Sequence, residues 1–428
     1  MNLIVRPTPV LKGSFYLPAS KSYSIRAFII AACGGTSKII SPSNCDDAKV
    51  AVDVARQLGA KITLSKKIWT VLARDKKITT RQIDVGESGT VLRFLLPLLA
   101  VQGNSIRVIG TGTLKGRPNL SLVKTLKAMG ACIDGSGSVQ SIPIDIKKGK
   151  IRGGKISIAG TVSSQFISAL LIACPELRED TKLFVKGKLV SQDYITMTRQ
   201  VLKKAGIQIQ DKKKYFHIPG RQKFKGLKNF IVPSDYGLAA FFLVAGALLR
   251  SRITLKGFLK DDLLQADGKI LDLLRKMGAR FVKTNQGTTI SGPFHLTGGS
   301  FSLKDCPDLV PIMAVAALFA KGKTRLYDIG HARVKESDRI SDLRKELLKI
   351  GANVKEKRNE LIVVPRPCYK SNISVNPHHD HRLAMAFSVL GLKLGANIKD
   401  IECTAKSYPD FVKDLAKLGA RISKVKNR

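Results

Sequence analysis

The pattern of apolar and polar positions repeats six times along the chain. In each copy an amphipathic run ends in an apolar residue and a Gly, and a β-branched or aromatic position follows within three residues. The pattern predicts a helix that ends at a left-handed Gly, with cationic side chains in its last turn, followed directly by a strand. The six copies occupy residues 56–62, 127–133, 203–209, 275–281, 348–354 and 416–422.

The spacing of the copies sets the size of the repeating unit. Successive glycines of the pattern are 71, 76, 72, 73 and 68 residues apart. This period is too long for a solenoid repeat, but it fits an α/β unit that contains two helices and several strands. Six such units in one chain predict two domains of three units each.

A boundary between the two domains is predicted where the third unit meets the fourth. A strand that ends near residue 232 gives way to Pro233, Ser234 and Asp235 before a helix at residues 236–249. Because that helix is apolar nearly all round, we expect it to be buried in a core.

Length and composition are those of a globular protein of two or three domains, with 428 residues, 44% apolar and 25% charged. No apolar run approaches the roughly 20 residues needed to cross a bilayer, and no signal peptide precedes the first strand-like segment. We therefore expect a cytoplasmic protein with no membrane partner. The seven cysteines are scattered and never spaced as C-x-x-C, so reduced thiols are expected.

The net charge is unusual at +41, from 73 Lys and Arg against 32 Asp and Glu. Such a field attracts polyanions and steers small anions, so nucleic-acid binding is an alternative function. However, the lysines are spread along the whole chain, and they are not interleaved with aromatic residues as a stacking platform requires. The sequence therefore predicts small anionic substrates and no specific nucleic-acid partner.

Residues 333–339 read R-V-K-E-S-D-R and combine one acid with several cations. In a helix Lys335 and Arg339 would lie on one face, where two like charges are unfavourable unless an anion is bound. Glu336 would lie about 100° around the same turn, so a proton-carrying acid would sit beside a phosphate or carboxylate site. The alternative is a solvated helix with a Glu336–Arg339 ion pair.

Four predicted helix starts carry hydroxyl groups or Gly residues that suit an anion, because the first backbone N–H groups of a helix have no partner within the helix. The alternative is an ordinary Ser N-cap with solvated cations. The candidate residues are Lys21, Ser22 and Arg26, then Gly89, then Ser163, Ser164 and Gln165, and finally Ser191 and Tyr194.

Further candidates lie in loops. Arg117 belongs to a loop at residues 111–118 whose Pro118 is predicted to open the next helix. Asp308 precedes an apolar helix at residues 312–320, where a structural N-cap is the alternative. Arg382 and Lys406 lie in two polar segments near the C-terminus.

The segment 378–382, H-H-D-H-R, raises the alternative of a metal site. Adjacent His side chains point in different directions, and no cluster of Cys, His or carboxylates is spaced to complete the coordination. We therefore expect no metal.

Three of these motifs, K-S-x-S-x-R at residues 21–26, R-V-K-E-S-D-R at 333–339 and D-H-R at 380–382, together resemble the 5-enolpyruvylshikimate 3-phosphate (EPSP) synthase family. The resemblance extends over almost the full chain. It implies an α/β (α+β) fold, a two-domain inside-out α/β barrel with three βαβαββ units per domain. One domain would comprise residues 20–232 and bind shikimate 3-phosphate. The other would comprise 1–19 and 233–428 and supply the acid, the base and the phosphoenolpyruvate cations.

The resemblance also implies a reaction. The family transfers the enolpyruvyl group of phosphoenolpyruvate to the 5-hydroxyl of shikimate 3-phosphate, and phosphate leaves from a tetrahedral intermediate. No cofactor is implied, and we expect a monomer whose partners are these two small anions.

Matching positions then carry the family's roles. The implied catalytic residues are Asp308, Glu336 and Lys21. The implied phosphoenolpyruvate ligands are Lys21, Gly89, Arg117, Gln165, Arg339, Arg382 and Lys406. The implied shikimate 3-phosphate ligands are Lys21, Ser22, Arg26, Ser163, Ser164, Gln165, Ser191, Tyr194, Asp308 and Lys335.

Two positions depart from the common family pattern. Glu87 stands where many members have Asn, and His331-Ala332 stand where Asn-Trp often precede R-V-K-E. Two related enzyme classes remain as alternatives. UDP-N-acetylglucosamine enolpyruvyl transferase carries a loop Cys where this chain has Gly112, and RNA 3′-phosphate cyclase lacks the K-S-x-S-x-R and K-E-S-D-R motifs.

Overall fold

The computed structural model describes residues 1–73, 78, 80–149, 151–258, 263–285 and 287–426. Within them the α-helices are α1 (Lys21–Ala32), α2 (Asp46–Gln57), α3 (Gly89–Gln102), α4 (Leu120–Ala128), α5 (Ser164–Ala173), α6 (Gln192–Lys204), α7 (Tyr236–Leu248), α8 (Ile270–Lys276), α9 (Val310–Leu318), α10 (Ser341–Lys349), α11 (His381–Leu394) and α12 (Phe411–Lys417). Short 3-10 helices span Gly112–Leu114, Cys174–Glu176, Ala266–Lys269, Pro307–Leu309, Gly330–Val334 and Ile401–Lys406.

The strands follow the same chain order. They are β1 (Asn2–Val5), β2 (Val10–Tyr16), β3 (Gly35–Ile40), β4 (Lys61–Leu64), β5 (Ile68–Ala73), β6 (Gln82–Asp84), β7 (Ile106–Ile109), β8 (Cys132–Ser136), β9 (Ser141–Lys147), β10 (Gly154–Ala159), β11 (Thr181–Lys186), β12 (Gln210–Lys212), β13 (Tyr215–Ile218), β14 (Lys228–Ile231), β15 (Arg250–Lys256), β16 (Phe281–Thr284), β17 (Gly287–Ile290), β18 (Ser300–Ser302), β19 (Thr324–Tyr327), β20 (Asn353–Lys357), β21 (Glu360–Val364), β22 (Ile373–Val375), β23 (Ala396–Ile398) and β24 (Ile422–Val425).

In the described residues the strands form six four-stranded sheets that share one topology. One edge pair of each sheet is parallel and the remaining pairs are antiparallel, as in β10-β11-β13-β12, where β10 runs parallel to β11. Since β10, α5, β11, α6, β12 and β13 follow one another along the chain, this unit is βαβαββ. The predicted fold class is therefore confirmed.

Three sheets are completed by strands from distant parts of the chain. β14 pairs with β3 in parallel, with Phe230 opposite Ile39. β1 lies between β23 and β24, and β2 pairs with β15 over its full length. Each of these strands is the fourth strand of a sheet whose other three strands follow one another along the chain.

The chain divides into two compact units. The first comprises Met1–Pro18, Pro233–Asp261 and Gln265–Arg428, and the second comprises Ala19–Val232 and Asp262–Leu264. Each unit contains three of the six sheets.

Each unit has its own apolar core, built on the first helix of each repeat. In the first unit α7 and α9 are buried along their whole length, and α11 packs against both. The ring of Phe242 lies 4.6 Å from that of Phe15 and 5.7 Å from that of Phe411. Full burial of one such side chain is worth roughly 1.5–3 kcal/mol. In the second unit α1, α3 and α5 form the corresponding buried layer.

The six glycines predicted to end helices all do so in the left-handed conformation. Their φ angles lie between 77° and 102°. At Gly59, the Gly N–H donates to Arg56 and the next N–H, of Ala60, donates to Ala55, which is the Schellman pattern. The same two bonds recur at Gly130, Gly206, Gly278, Gly351 and Gly419. The prediction that Pro118 opens the next helix is wrong, because α4 begins at Leu120, two residues after Pro118.

Gly351 isolates the backbone contribution of such a helix end. A Cβ at this position would meet nothing within 4 Å, so Gly351→Ala adds only the strain of a left-handed L-residue. We expect it to lower the free energy of unfolding by about 1–2 kcal/mol in urea denaturation. Gly351→Asn is the matched control and should recover most of the loss, since Asn tolerates this conformation. Equal stability of the Ala variant and the wild type would contradict this reading.

Candidate active site

The starts of α7, α9 and α11 meet in the first unit. Asp235 caps α7 by accepting from the N–H of Leu238 at 3.0 Å, and Asp380 caps α11 by accepting from the N–H of Arg382 at 2.8 Å. Arg382 Nη1 donates to the carbonyl of Gly237 at 2.8 Å, which joins the two helix starts directly. Because helix N-termini carry partial positive charge, their convergence favours an anion here.

Arg339 connects three carboxylates at this position. Its Nη1 lies 2.7 Å from Asp308, its Nη2 lies 2.8 Å from Glu336, and its Nε lies 2.7 Å from Asp380. Arg339 is 1% exposed and Asp380 is fully buried. Each of the three guanidinium nitrogens is therefore committed to a carboxylate in a site that excludes most water.

Asp308 is the most cation-rich of these carboxylates. Lys335 Nζ lies 3.6 Å from its Oδ1, and Arg382 Nη2 lies 3.2 Å from its Oδ2. Burial raises the pKa of this carboxyl, but Lys335, Arg339 and Arg382 outweigh burial and hold the pKa well below its usual range. Asp308 is ionised at neutral pH. The N-cap alternative is wrong, since α9 starts at Val310 and no side chain caps it.

Residues 333–339 do not form the helix considered from the sequence. A 3-10 helix ends at Val334, and Lys335 has φ −87° and ψ −146°, which leaves the helical region. Asp338 explains the break: it accepts from the N–H groups of Ile340 and Ser341, and α10 begins at Ser341, three residues later. The predicted Glu336–Arg339 ion pair exists, but it is buried and not solvated.

His331 lies beside this cluster and is 8% exposed. Among the described residues its Nε2 has no hydrogen-bond partner. Burial and the charge of Lys335 lower the pKa of His331 to about 3. The ring is therefore neutral at physiological pH.

Lys406 ends the 3-10 helix Ile401–Lys406 and is 7% exposed. This element packs against α11, the helix whose second residue is Arg382. Two predicted cations thus belong to elements of the first unit that pack against each other.

The second unit gathers the remaining candidates at its own helix starts. Ser20 caps α1, and Lys21 forms a largely buried ion pair with Asp47 at 3.0 Å. Ser163 caps α5 and accepts from the N–H of Gln165, and Ser164 is the first residue of that helix. Ser191 precedes α6, and Tyr194 lies in the first turn.

Arg26 is buried and joins α1 to α6. Its Nε donates to Thr198 at 2.8 Å, its Nη1 to the carbonyl of Ser22 at 2.9 Å, and its Nη2 to the carbonyl of Tyr194 at 3.1 Å. Burial lowers the pKa of Arg26 to about 10, which leaves it charged at neutral pH. The structure therefore gives Arg26 an internal role besides any contact with a ligand.

Gln165 is held from two sides. Arg93 Nη1 donates to its amide oxygen at 2.5 Å, and its amide nitrogen donates to Thr90 at 2.8 Å. The guanidinium of Arg117 lies against Gly89, where a Cβ would come within 2.9 Å of Nη1. The first turn of α3 thus brings together three of the predicted positions.

Three further residues of the site were given no role in the expected reaction from the sequence. Asp380, Asp47 and Arg93 each hold a predicted residue in position through an ion pair or hydrogen bond. The sequence shows a carboxylate before α11, a carboxylate at the start of α2 and an Arg near the start of α3, but it does not show their long-range partners. Asp380 caps a helix and binds Arg339, which is a different use from the metal ligand considered above.

The fold matches solved structures of enolpyruvyl transferases. EPSP synthase from Acinetobacter baumannii aligns with a TM-score of 0.80 at 25% identity, over 99% of this chain and all of that chain. The enolpyruvyl transferase NikO from Streptomyces tendae aligns with a TM-score of 0.77 at 18% identity, over 100% and 99% of the two chains, which supports the fold alone.

The family follows from the sequence comparisons. Proteins named 3-phosphoshikimate 1-carboxyvinyltransferase are 37% identical in Methanocaldococcus jannaschii and 35% identical in Methanococcus maripaludis, each over 98% of this chain and 99% of the relative. The family model described as EPSP synthase (3-phosphoshikimate 1-carboxyvinyltransferase) matches residues 5–415. The chain belongs to the EPSP synthase family.

None of the helices in the described residues combines the length and apolar content that crossing a bilayer requires.

The buried neutral His331 predicts how stability depends on pH. The unfolded chain takes up a proton at this ring below pH 6.5, but the folded protein does so only near pH 3. The free energy of unfolding should therefore fall, by up to about 1.4 kcal/mol per pH unit, as the pH is lowered from 6.5 toward 3. In His331→Asn that part of the loss should be absent between about pH 6 and pH 4, measured by urea denaturation.

The matched control for His331 is His295→Asn, because His295 is exposed in the fold. It should leave the pH profile as in the wild type. A His331→Asn profile that declines as steeply as the wild type would contradict the buried neutral ring.

Proposed function

We propose that this chain is a 3-phosphoshikimate 1-carboxyvinyltransferase. It transfers the enolpyruvyl group of phosphoenolpyruvate to the 5-hydroxyl of shikimate 3-phosphate and releases phosphate, a step of aromatic amino-acid (chorismate) biosynthesis. Family membership supports the reaction. The observation that carries it in this chain is the Arg339 cluster, which holds two candidate proton-transfer groups, Asp308 and Glu336, among cations in a nearly dry site.

The chemistry needs an acid for the vinyl CH₂ and a base for the attacking hydroxyl. We assign the acid to Glu336 and the base to Asp308, with Lys21 acting on both substrates. Protonation at CH₂ makes C2 electrophilic, the 5-hydroxyl oxygen adds there as its proton leaves, and a tetrahedral intermediate forms. Return of the methyl proton to Glu336 and cleavage of the C–O bond to phosphate then give the enol ether product. The atoms balance without a cofactor.

A carboxylate with so low a pKa is a weak base in the unliganded site. Two anionic substrates change this, because their phosphate and carboxylate charges offset the cations around Asp308. We infer that substrate binding raises the pKa of Asp308 toward the range in which it can accept the hydroxyl proton. The base would then be active only when both substrates are present.

The anion ligands are assigned to the two units separately. For phosphoenolpyruvate we propose Arg339, Arg382 and Lys406 in the first unit and Lys21, Gly89, Arg117 and Gln165 in the second. For shikimate 3-phosphate we propose Lys21, Ser22, Arg26, Ser163, Ser164, Gln165, Ser191 and Tyr194 in the second unit and Asp308 and Lys335 in the first. Charge-assisted hydrogen bonds contribute roughly 1.5–3 kcal/mol each, so a few suffice for micromolar binding.

The acceptor assignment has structural support at Gly112. A Cβ at this position would collide with the side chain of Glu87, which also accepts from the Thr113 hydroxyl at 3.1 Å. A Cys here would therefore require the Glu87 side chain to move, and it would have to adopt the left-handed conformation of Gly112, φ 53°, which L-residues rarely adopt. Glu87, which differs from the common family residue, thus lies directly against Gly112.

We also infer a monomer in the cytoplasm. Cys132 and Cys368 are exposed, and thiols in such positions are prone to oxidation outside a reducing compartment. A charge of +41 on each copy opposes self-association.

The first kinetic prediction concerns Glu336. The wild type should release phosphate from phosphoenolpyruvate only with shikimate 3-phosphate, and Glu336→Gln should lower kcat by about 10²–10⁴-fold while both ligands still bind. Phosphate release measures the rate, and calorimetry measures binding. Glu356→Gln is the control, since Glu356 lies beside Arg333 and not Arg339. Activity with UDP-N-acetylglucosamine would end the acceptor assignment, and an unchanged rate in Glu336→Gln would end the role of Glu336.

The second kinetic prediction concerns Gly89 and the inhibitor glyphosate. A methyl group here must displace the Arg117 guanidinium, which lies within 2.9–3.2 Å of the new atom. Gly89→Ala should weaken glyphosate inhibition roughly tenfold or more and raise the KM for phosphoenolpyruvate. Gly149→Ala is the control, because its nearest neighbour is 3.7 Å from the added atom. Unchanged inhibition in Gly89→Ala would remove Gly89 from the site.

A further inference from the structure

The sheet β10-β11-β13-β12 in the second unit packs one side against the core and turns its other side toward solvent. Along β11, Leu183 points into the core, and Lys182, Phe184 and Lys186 alternate with it toward solvent. On β13 the buried Phe216 separates Tyr215 from His217 in the same way. The outer face of this sheet therefore carries aromatic rings and lysines together.

Two of these rings form a partly exposed pair at the centre of the face. Phe184 and Tyr215 are directly opposite in the antiparallel register. Their ring centroids are 5.0 Å apart, with planes inclined at 34°. The pair offers an apolar, π-rich surface about two rings wide.

Lysines surround the pair. Lys155 Nζ lies 5.4 Å from the Phe184 ring, and Lys182 Nζ lies 5.9 Å from the Tyr215 ring. Lys212 of β12 is opposite Tyr215 of β13, and Lys186 is two residues beyond Phe184 on β11. We call this set, Phe184 and Tyr215 with Lys155, Lys182, Lys186 and Lys212, the lysine–aromatic face.

Two acidic residues in or next to the strands of this sheet, Asp180 and Asp211, are already paired with other protein groups. Asp180 lies 3.0 Å from His217 Nε2 and accepts from the N–H of Gly220. Asp211 forms an ion pair with Arg199 at 2.7 Å. Residues 151–225 contain fifteen Lys and Arg against five Asp and Glu, so the field over the face is positive.

We propose that the lysine–aromatic face binds single-stranded nucleic acid. Unpaired bases stack on aromatic rings whatever their identity, and lysines around the rings bind the phosphates between them. A duplex keeps its bases stacked inside and cannot use the rings. Of the anionic partners that a net charge of +41 would attract, a single strand is the one that also uses a partly exposed ring pair.

The sequence analysis expected no interleaving of lysines and aromatic residues. Phe184 and Tyr215 are 31 residues apart in the chain, and pairing of β11 with β13 brings them together. The absence of interleaving holds along the sequence but not across the sheet.

A matched surface in the first unit serves as a control. Tyr16 is 76% exposed and has Lys256 Nζ 5.9 Å from its ring. It offers a similar ring and cation without the second ring that forms a platform at Phe184. Tyr16→Leu should therefore show how much a single exposed ring beside a lysine contributes to binding.

The experiment measures fluorescence anisotropy of a labelled oligouridine of about ten nucleotides, with the full chain at about 0.15 M salt. We expect a dissociation constant in the micromolar range. The double variant Phe184→Leu/Tyr215→Leu should weaken binding about tenfold or more, and Tyr16→Leu less than about twofold. A duplex of the same length should bind more weakly than the single strand and should not respond to the ring substitutions.

A charge variant keeps the proposal testable if the ring variant folds poorly. Lys155→Gln/Lys182→Gln should weaken binding and reduce the slope of log affinity against log salt by about one to two. Lys38→Gln/Lys61→Gln removes two exposed lysines from another sheet of the same unit and should change neither. Phosphate release from phosphoenolpyruvate should be unchanged in all of these variants, since none alters a proposed active-site residue.

The results that overturn the proposal are distinct. They are no binding at this salt, equal losses in the platform and control variants, or a duplex or an anionic lipid vesicle that binds as well as the single strand. Each would mean that the lysines act only as a general positive surface.

Discussion

The guanidinium of Arg339 meets three carboxylates that arrive from separate stretches of the chain. Asp308 precedes α9, Glu336 follows a 3-10 helix, and Asp380 caps α11. Bringing four charges out of water costs several kcal/mol per ion, and only close, well-directed hydrogen bonds repay it. Loss of the arginine alone would leave three carboxylates without their common partner, and breaking one such buried pair typically costs about 3–5 kcal/mol. The positions of the proposed acid and base both depend on this one side chain.

The repeat architecture explains how the charges come together. Each repeat contributes a buried helix, and in the first unit the starts of these helices converge, as the bond from Arg382 to Gly237 makes plain. Helix N-termini and the cations beside them then face the same space. An enzyme for two small anions needs such a concentration of positive charge around a carboxylate, and the convergence of helix starts in this fold supplies it.

Local rules were enough to predict part of this from the sequence. The six glycines end helices because a left-handed residue closes the helix and turns the chain into a strand, and Gly59 and Gly351 can be recognised from neighbours alone. The buried helix at Tyr236–Leu248 follows from its composition. The candidate residues at helix starts follow from hydroxyl groups, glycines and charge, although their roles remain proposals.

What could not be predicted depends on contacts between distant residues. Lys335 leaves the helical region, and α10 begins only at Ser341, after Asp338 accepts from two N–H groups, so spacing along an assumed helix gave the wrong geometry for 333–339. Asp380 has one obvious local use as a cap and a second, non-local one at Arg339. The lysine–aromatic face likewise exists only after β11 and β13 pair. In each case the sequence contains the residue but not its partner.

The central claim is that Arg339, Lys335 and Arg382 keep Asp308 ionised in the unliganded protein. Carbon-13 NMR of protein labelled at the aspartate carboxyl carbons tests it, with the Asp308 signal assigned by its absence in Asp308→Asn. The account predicts the chemical shift of an ionised carboxylate, with no titration, from about pH 8 down to about pH 3, below the ordinary pKa of an Asp. A signal that titrates within this range would show that the cations do not control Asp308, and the account of the site would fail.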